Sequence, residues 1–315
     1  MDGLFLEKIS LVVPCFNEEE SLPLFYSEIV KITDVLRNYE FEFIFIDDGS
    51  TDHTCDFLKK LSAVDRRVKY ISFSRNFGKE AALYAGFEHC GGDYAVTIDA
   101  DLQDPPGMLV NMLDVIKNED YDCVAARRSS RKSEPRVRSY FAKIFYKLIN
   151  KMSKVEIVDG ARDFRLMKKA MVDSIVKMGE YNRFSKGIFA WVGFRTKWLS
   201  YENQKRVAGT TKWSFWSLFL YSIEGIIGFS TAPLAVSSVL GIVFSIIALI
   251  AIFIIIFKTL IWGDPVAGWP ALACIIMLVG GLQLLCLGII GQYLAKTYLE
   301  SKHRPIYLTK ETNIV

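Results

Sequence analysis

Two stretches near the carboxyl end, Ala235 to Phe257 and Ala271 to Leu294, run for about 23 and 24 residues without a charged side chain, and either can cross the roughly 30 Å hydrocarbon core of a bilayer. They divide the chain into a mixed-polarity region and a membrane-seeking end. The linker Lys258 to Pro270 is short and carries Trp262 and Trp269 at interface depth. Lys296, Lys302 and Arg304 follow the second stretch, so a hairpin with both ends cytoplasmic is expected. Gln283 is a polar group that lipid disfavours, so it is expected to face the first helix or another protomer, which makes a homo-oligomer one of the expected partners. Just ahead of the hairpin, Trp213, Phe215, Trp216, Leu218, Phe219 and Tyr221 form an aromatic-rich stretch suited to the headgroup layer.

The first part of the chain alternates. Apolar runs at Ile9 to Val13, Phe41 to Ile46, Val68 to Phe73 and Tyr94 to Ile98 are separated by helical patterns near Ser21 to Leu36, Thr51 to Leu61 and Lys79 to His89. That order predicts an α/β fold with a mostly parallel sheet and crossover helices, whose ligands gather at the carboxyl ends of the strands. Pro14-Cys15-Phe16-Asn17-Glu18, Asp47-Asp48-Gly49-Ser50 and Asp99-Ala100-Asp101 all fall at such ends. Three distant segments therefore converge on one rim.

The two acids of Asp99-Ala100-Asp101 can turn toward a common divalent cation that neutralises a diphosphate. Outside its context the triplet reads better as a solvated turn, and the neighbouring rim motifs favour the functional reading. In Asp47-Asp48-Gly49-Ser50-Thr51 a carboxylate accepting from ribose or base is compatible with a glycine bend and a hydroxyl helix cap.

A net charge of +3 is too small to imply nucleic-acid binding, but basic residues cluster locally at 127–138 and 205–212, which suits phosphates. Arg206 and Lys212 flank Gly209-Thr210-Thr211, a flexible segment able to fold over a diphosphate. Arg127, Arg138 and Arg128 lie before or within an amphipathic pattern (Val137, Tyr140, Phe141, Ile144, Phe145, Leu148, Met152) and could hold a second phosphate. That pattern fits a membrane-surface helix or one packing on its own domain. Six scattered cysteines without a C-x-x-C pair fit a reduced compartment, and the start of the chain lacks the basic and long apolar segments of a signal peptide.

Val13-Pro14-Cys15-Phe16-Asn17-Glu18, Asp47 to Asp52 and Asp99-Ala100-Asp101-Leu102-Gln103-Asp104-Pro105-Pro106 together resemble the family 2 glycosyltransferases of GT-A fold, and within them the polyisoprenyl-phosphate glycosyltransferases. Asp163-Phe164-Arg165-Leu166-Met167, Arg183-Phe184-Ser185-Lys186-Gly187, Arg206 to Trp213 and the paired spans match too, so the resemblance covers nearly the whole chain. It implies a GT-A catalytic domain over 1–212, an interfacial segment over 213–232, transmembrane helices over 233–258 and 270–295 joined by a loop at 259–269, and a cytoplasmic tail over 296–315.

By that resemblance Pro14, Asn17, Glu18, Asp47 and Asp48 line a nucleotide pocket. Asp99 and Asp101 serve the diphosphate and Mg2+ or Mn2+, with Asp101 the better direct ligand, and Gln103 lies close to the sugar. Asp163 corresponds to the proposed catalytic base, with Asp159 a nearby competitor; read alone, Asp163 would pair with Arg165. Arg183 and Lys186 join the substrate-binding set. The activity implied is inverting transfer of one hexose or N-acetylhexosamine from a nucleotide sugar to a polyprenyl phosphate at the cytoplasmic leaflet, with UDP-glucose and undecaprenyl phosphate the first choice. A processive polysaccharide synthase fits less well, because one hairpin is a small membrane part and Gln204-Lys205-Arg206-Val207 departs from Q-x-x-R-W. A catalytically idle lipid-sugar scaffold is opposed by the intact rim acids.

Overall fold

The computed structural model describes residues 6–129, 150, 158, 160–202, 227–228, 230–262 and 268–314. Its centre is an eight-stranded mixed sheet in the order β7-β5-β6-β4-β1-β2-β3-β8. The parallel core is β1 (Glu7–Cys15), β2 (Tyr39–Asp47), β3 (Val68–Phe73) and β4 (Tyr94–Thr97), joined by α1 (Leu22–Val35), α2 (Thr54–Val64) and α3 (Lys79–Glu88). These strands are buried on both faces and read as continuous apolar runs, as a helix-covered parallel sheet requires. Beyond β4, α4 (Met108–Asn118) leads to β5 (Cys123–Arg128). Next come β6 (Ala161–Lys168), α5 (Lys169–Lys177), α6 (Ser185–Trp191) and β7 (Thr196–Tyr201). β6 inserts antiparallel between β4 and β5, while β5 and β7 are parallel. One face of the sheet packs against α1 and α4 through Phe25, Ile29, Leu109 and Met112; the other packs against α3, α5 and α6 through Leu83, Phe87, Met171 and Phe189.

Glu42 is a buried acid on β2, 2% exposed, held by the Lys8 and Lys69 ammonium groups at 2.7 and 2.8 Å, the Ser10 hydroxyl at 2.5 Å and the Gly91 amide at 2.7 Å. Burial alone would raise its carboxyl, but these donors outweigh it and hold it at about 2 against an ordinary 4.5. A folded-state value below the unfolded one stabilises the protein above the unfolded value, and that contribution is lost as pH falls through the folded value. Glu42→Gln is therefore expected to lower the melting temperature at pH 7 and to flatten its decline between about pH 4.5 and about 2, read by thermal unfolding across that range.

The two apolar stretches form α7 (Ala232–Trp262) and α8 (Trp269–Ser301). Within them 20 residues, Ala232–Ala251, and 24 residues, Leu278–Ser301, have mean hydropathies of 2.6 and 1.7. At about 1.5 Å per residue both match a bilayer core. Ile246, Leu249, Phe253, Leu284 and Leu294 are exposed, an apolar surface that lipid can cover. The helices pack antiparallel: the Tyr293 hydroxyl donates to the Ser230 carbonyl at 2.5 Å, and the Cys286 thiol lies 3.8 Å from the Ser237 carbonyl. Gln283 is exposed rather than turned into that contact.

The end of the chain departs from the expected separate tail. Residues 296–301 continue α8, and Thr309–Thr312 form β8, antiparallel to β3. The Tyr307 ring stacks on Phe73 at 4.8 Å, and the Asn313 side chain accepts the Tyr70 amide at 2.7 Å. This tail covers the edge that β3 would otherwise present to other chains. The amphipathic segment near 137–152 and the aromatic stretch at 213–221 lie outside the described residues, apart from Asn150.

Candidate active site

The carboxyl ends of β1 and β2 carry loops that are sewn to each other. Asn17, with φ 53°, donates its backbone N–H to the Ser50 hydroxyl at 2.9 Å and accepts the Thr51 amide on its side-chain oxygen at 2.8 Å. The Glu18 amide donates to the Thr54 hydroxyl at 2.9 Å, and the His53 amide donates to Glu19 at 3.0 Å. Pro14 lies half-buried at the end of β1 beside this seam. Asp47, 1% exposed, accepts from the Ser50 amide at 3.0 Å and the Ser72 hydroxyl at 2.7 Å.

Asp48, 4% exposed, accepts the Phe77 amide at 2.6 Å and the Gly78 amide at 2.9 Å. Its carboxyl is pushed up to about 6, chiefly by burial, with those two amides opposing the rise. Gly49, at φ 67°, lets the β2 loop meet the 75–76 backbone; a Cβ there would lie 2.7 Å from the Asn76 nitrogen. Asn17, Asp47 and Asp48 thus shape the rim through contacts within the protein.

The second half of the rim is assembled by β6. Continuing the register that pairs Thr97 with Arg165 by two residues sets Asp99 across from Asp163. Lys79, the first residue of α3, bridges them: its ammonium lies 2.6 Å from Asp99 Oδ1 and 2.6 Å from Asp163 Oδ2. The side chains of Lys79, Asp99 and Asp163 are 38, 25 and 21% exposed, so a ligand can reach all three. Burial would raise the Asp163 carboxyl, but Lys79, Lys186 and Arg165 outweigh it and hold it well below the ordinary carboxylate range. The expected Asp163–Arg165 pairing is corrected: the hydrogen-bonded ion pair is with Lys79. Arg165 instead lies over the Phe189 ring at 3.7 Å and donates to the Arg162 carbonyl at 3.1 Å.

Asp101, 8% exposed, accepts the Gln103 amide at 3.1 Å in a tight loop where Leu102 has φ 55°. Arg162 braces that loop, donating to Asp104 at 2.8 Å and to the Gln103 side-chain oxygen at 3.3 Å; Arg128 reaches the same oxygen at 3.3 Å. The Tyr201 hydroxyl also donates to Asp104. Of the basic residues at the end of β5, Arg128 joins the rim while Arg127 is exposed. Arg183 donates to the Met178 carbonyl and lies 4.5 Å from the Tyr84 ring centre, which commits it to its own loop. Lys186, on α6, borders a cavity that Arg165 also lines. Arg138, Asp159, Arg206 and Lys212 lie outside the described residues.

Residues 10–176 match the family described as Glycosyl transferase family 2. The chain belongs to that family. The prophage bactoprenol glucosyl transferase homolog of Escherichia coli (strain K12) is 42% identical over 303 residues, which is 96% of this chain and 98% of the relative. The bactoprenol glucosyl transferase of Shigella phage SfV is 43% identical over 303 residues, with the same two coverages. Among solved structures, glucosyl-3-phosphoglycerate synthase from Mycobacterium tuberculosis, in complex with Mn2+, uridine-diphosphate-glucose and phosphoglyceric acid, is similar at 19% identity and a TM-score of 0.47, covering 70% of this chain and 78% of that chain.

Sequence reasoning about this family 2 glycosyltransferase misses Lys79, Glu80 and Arg162. Lys79 and Glu80 begin a helix, where charged residues usually read as a solvated turn. Yet Glu80 is turned inward to accept the Ser185 amide at 2.7 Å, fixing the start of α6. The one local cue is Gly78, whose φ of 96° starts α3 abruptly after the loop held by Asp48. Arg162 adjoins Asp163 and had no signal of its own.

Proposed function

We propose that this enzyme transfers one glucose, with inversion, from UDP-glucose to a polyprenyl phosphate of the undecaprenyl type at the cytoplasmic face of a membrane. The carrying observation is identity above 40% to bactoprenol glucosyl transferases along 96% of the chain. The return of the chain after α8 into the sheet as β8 supports an integral hairpin with the catalytic domain and both helix ends on one side.

The donor's nucleotide lies along the sewn loops after β1 and β2, with its diphosphate at Asp99 and Asp101. Among the described residues no three His, Cys, Asp or Glu side chains form a protein-only metal cage. Two carboxylates at one strand end do fit a cation whose remaining ligands are diphosphate oxygens, the usual arrangement for Mg2+, and Mn2+ suits the same donors. When bound there, such an ion would neutralise charge on the departing nucleoside diphosphate.

An acceptor phosphate monoester is already largely anionic at neutral pH, having a second pKa near about 6. Asp163, kept ionised by Lys79 and Lys186, orients that phosphate. A phosphate oxygen forms a bond to the anomeric carbon as the bond from that carbon to the UDP oxygen breaks, and the electron pair leaves with UDP. One displacement converts an α-linked donor into a β-linked lipid phosphosugar. Arg128 and Arg162 hold Gln103 at the sugar end of the loop.

Purified protein supplied with UDP-glucose, Mg2+ or Mn2+ and undecaprenyl phosphate is expected to make a single β-glucosyl lipid phosphate, read by mass spectrometry and NMR. A ladder of longer saccharides would favour a polymerase, and binding without turnover would favour a scaffold.

A further inference from the structure

On the sheet face covered by α6 lies a cavity of about 440 Å3 bordered by Arg165, Lys186, Phe189, Ala190, Phe194 and Trp198. Resting on the function proposed above, we infer that this cavity receives the acceptor's phosphate together with the first part of its prenyl chain. Strand alternation puts Asp163 and Arg165 on one face of β6, the face that α6 covers.

Two cations on the wall suit an anion. Arg165 is only 2% exposed, and among the described residues neither it nor Lys186 forms an ion pair with a carboxylate within 4.0 Å. Its Nε is buried without a hydrogen-bond partner. Its charge meets the Phe189 ring and the Arg162 carbonyl but no anion, so an anionic ligand would complete its surroundings. A phosphate monoester brings about −1.5 to −2 at neutral pH, enough to match two cations.

Apart from Thr196, the rest of the lining is apolar and aromatic, which suits a hydrocarbon attached to that phosphate better than a free anion. Glu300, near the end of α8, accepts the Tyr181 and Asn182 amides at 3.1 and 2.9 Å, and the Asn182 side chain at 3.0 Å. That clasp ties the end of α8 to the loop leading into α6 and Lys186.

The test is steady-state kinetics on the full chain in detergent with UDP-glucose and undecaprenyl phosphate. Lys186→Met removes one cation, and Ala190→Leu fills part of the cavity; both sites are half-buried and both replacements keep good helix formers. Each is expected to raise the KM for undecaprenyl phosphate by about tenfold or more, with the KM for UDP-glucose changed by less than about twofold. Farnesyl phosphate should compete with the acceptor, and inorganic phosphate at the same concentration should not. An acceptor KM unchanged in both variants, an equal rise in the UDP-glucose KM, or equal competition by inorganic phosphate would overturn the inference while leaving the activity intact. A wild-type protein that makes no glucosylated lipid would defeat the functional reading itself.

Discussion

Asp101→Asn is expected to lower kcat/KM by about 10²–10³-fold, with the melting temperature close to that of the wild type. The amide is nearly isosteric with the carboxylate, and its oxygen can still accept the Gln103 amide that closes the loop. What disappears is the charge that a cation shared with the diphosphate would meet, so the loss falls on turnover and on metal dependence rather than on folding. Near-wild-type activity across a range of Mg2+ and Mn2+ concentrations would remove Asp101 from this role.

Lys79→Met should be nearly as damaging, reducing kcat by about 10²-fold. In the wild type one ammonium separates two carboxylates that the β4–β6 register sets opposite each other. Without it, Asp99 and Asp163 repel, and the influence that most lowers the Asp163 carboxyl is gone. Because Lys79 holds that carboxyl down, its removal must raise it, and the acid limb of the kcat profile should move to higher pH. Lys79→Arg keeps the charge and should restore part of the rate. A profile unmoved in Lys79→Met would mean that the bridge serves folding alone, which a melting curve would show.

Those two residues mark the difference between what composition and pattern expose and what only the assembled fold reveals. β3 was bounded correctly at both ends, and β1, β2 and β4 were found within a few residues, because buried parallel strands are unbroken apolar runs. β8 was invisible: Thr309–Thr312 is short, polar and largely exposed, and its partner strand lies more than two hundred residues earlier. β7 is half-exposed and lacks a clean alternation. β6 was noticed as a motif around Asp163 rather than as a strand, since its apolar residues follow a mixture of charged ones.

The site shows the same division. Asp99 and Asp101 stood out as acids following an apolar run, and Asp163 through the family resemblance; the fold brings Asp99 and Asp163 onto one lysine. Asn17, Asp47 and Asp48 also stood out, but their visible contacts are with neighbouring loops, a role that a chemical motif does not distinguish from ligand contact. Lys79 gave no such cue. Its importance comes from a contact 84 residues along the chain, made only once α3 and β6 meet.

The central claim is that acids from separate segments meet around one cation held jointly with a nucleoside diphosphate. Electron paramagnetic resonance of Mn2+ added to the purified protein tests this most directly. Tight, one-to-one Mn2+ binding should require UDP, should be weak without it, and should be lost in Asp101→Asn. Binding equally strong without UDP, or unchanged by Asp101→Asn, would contradict the account.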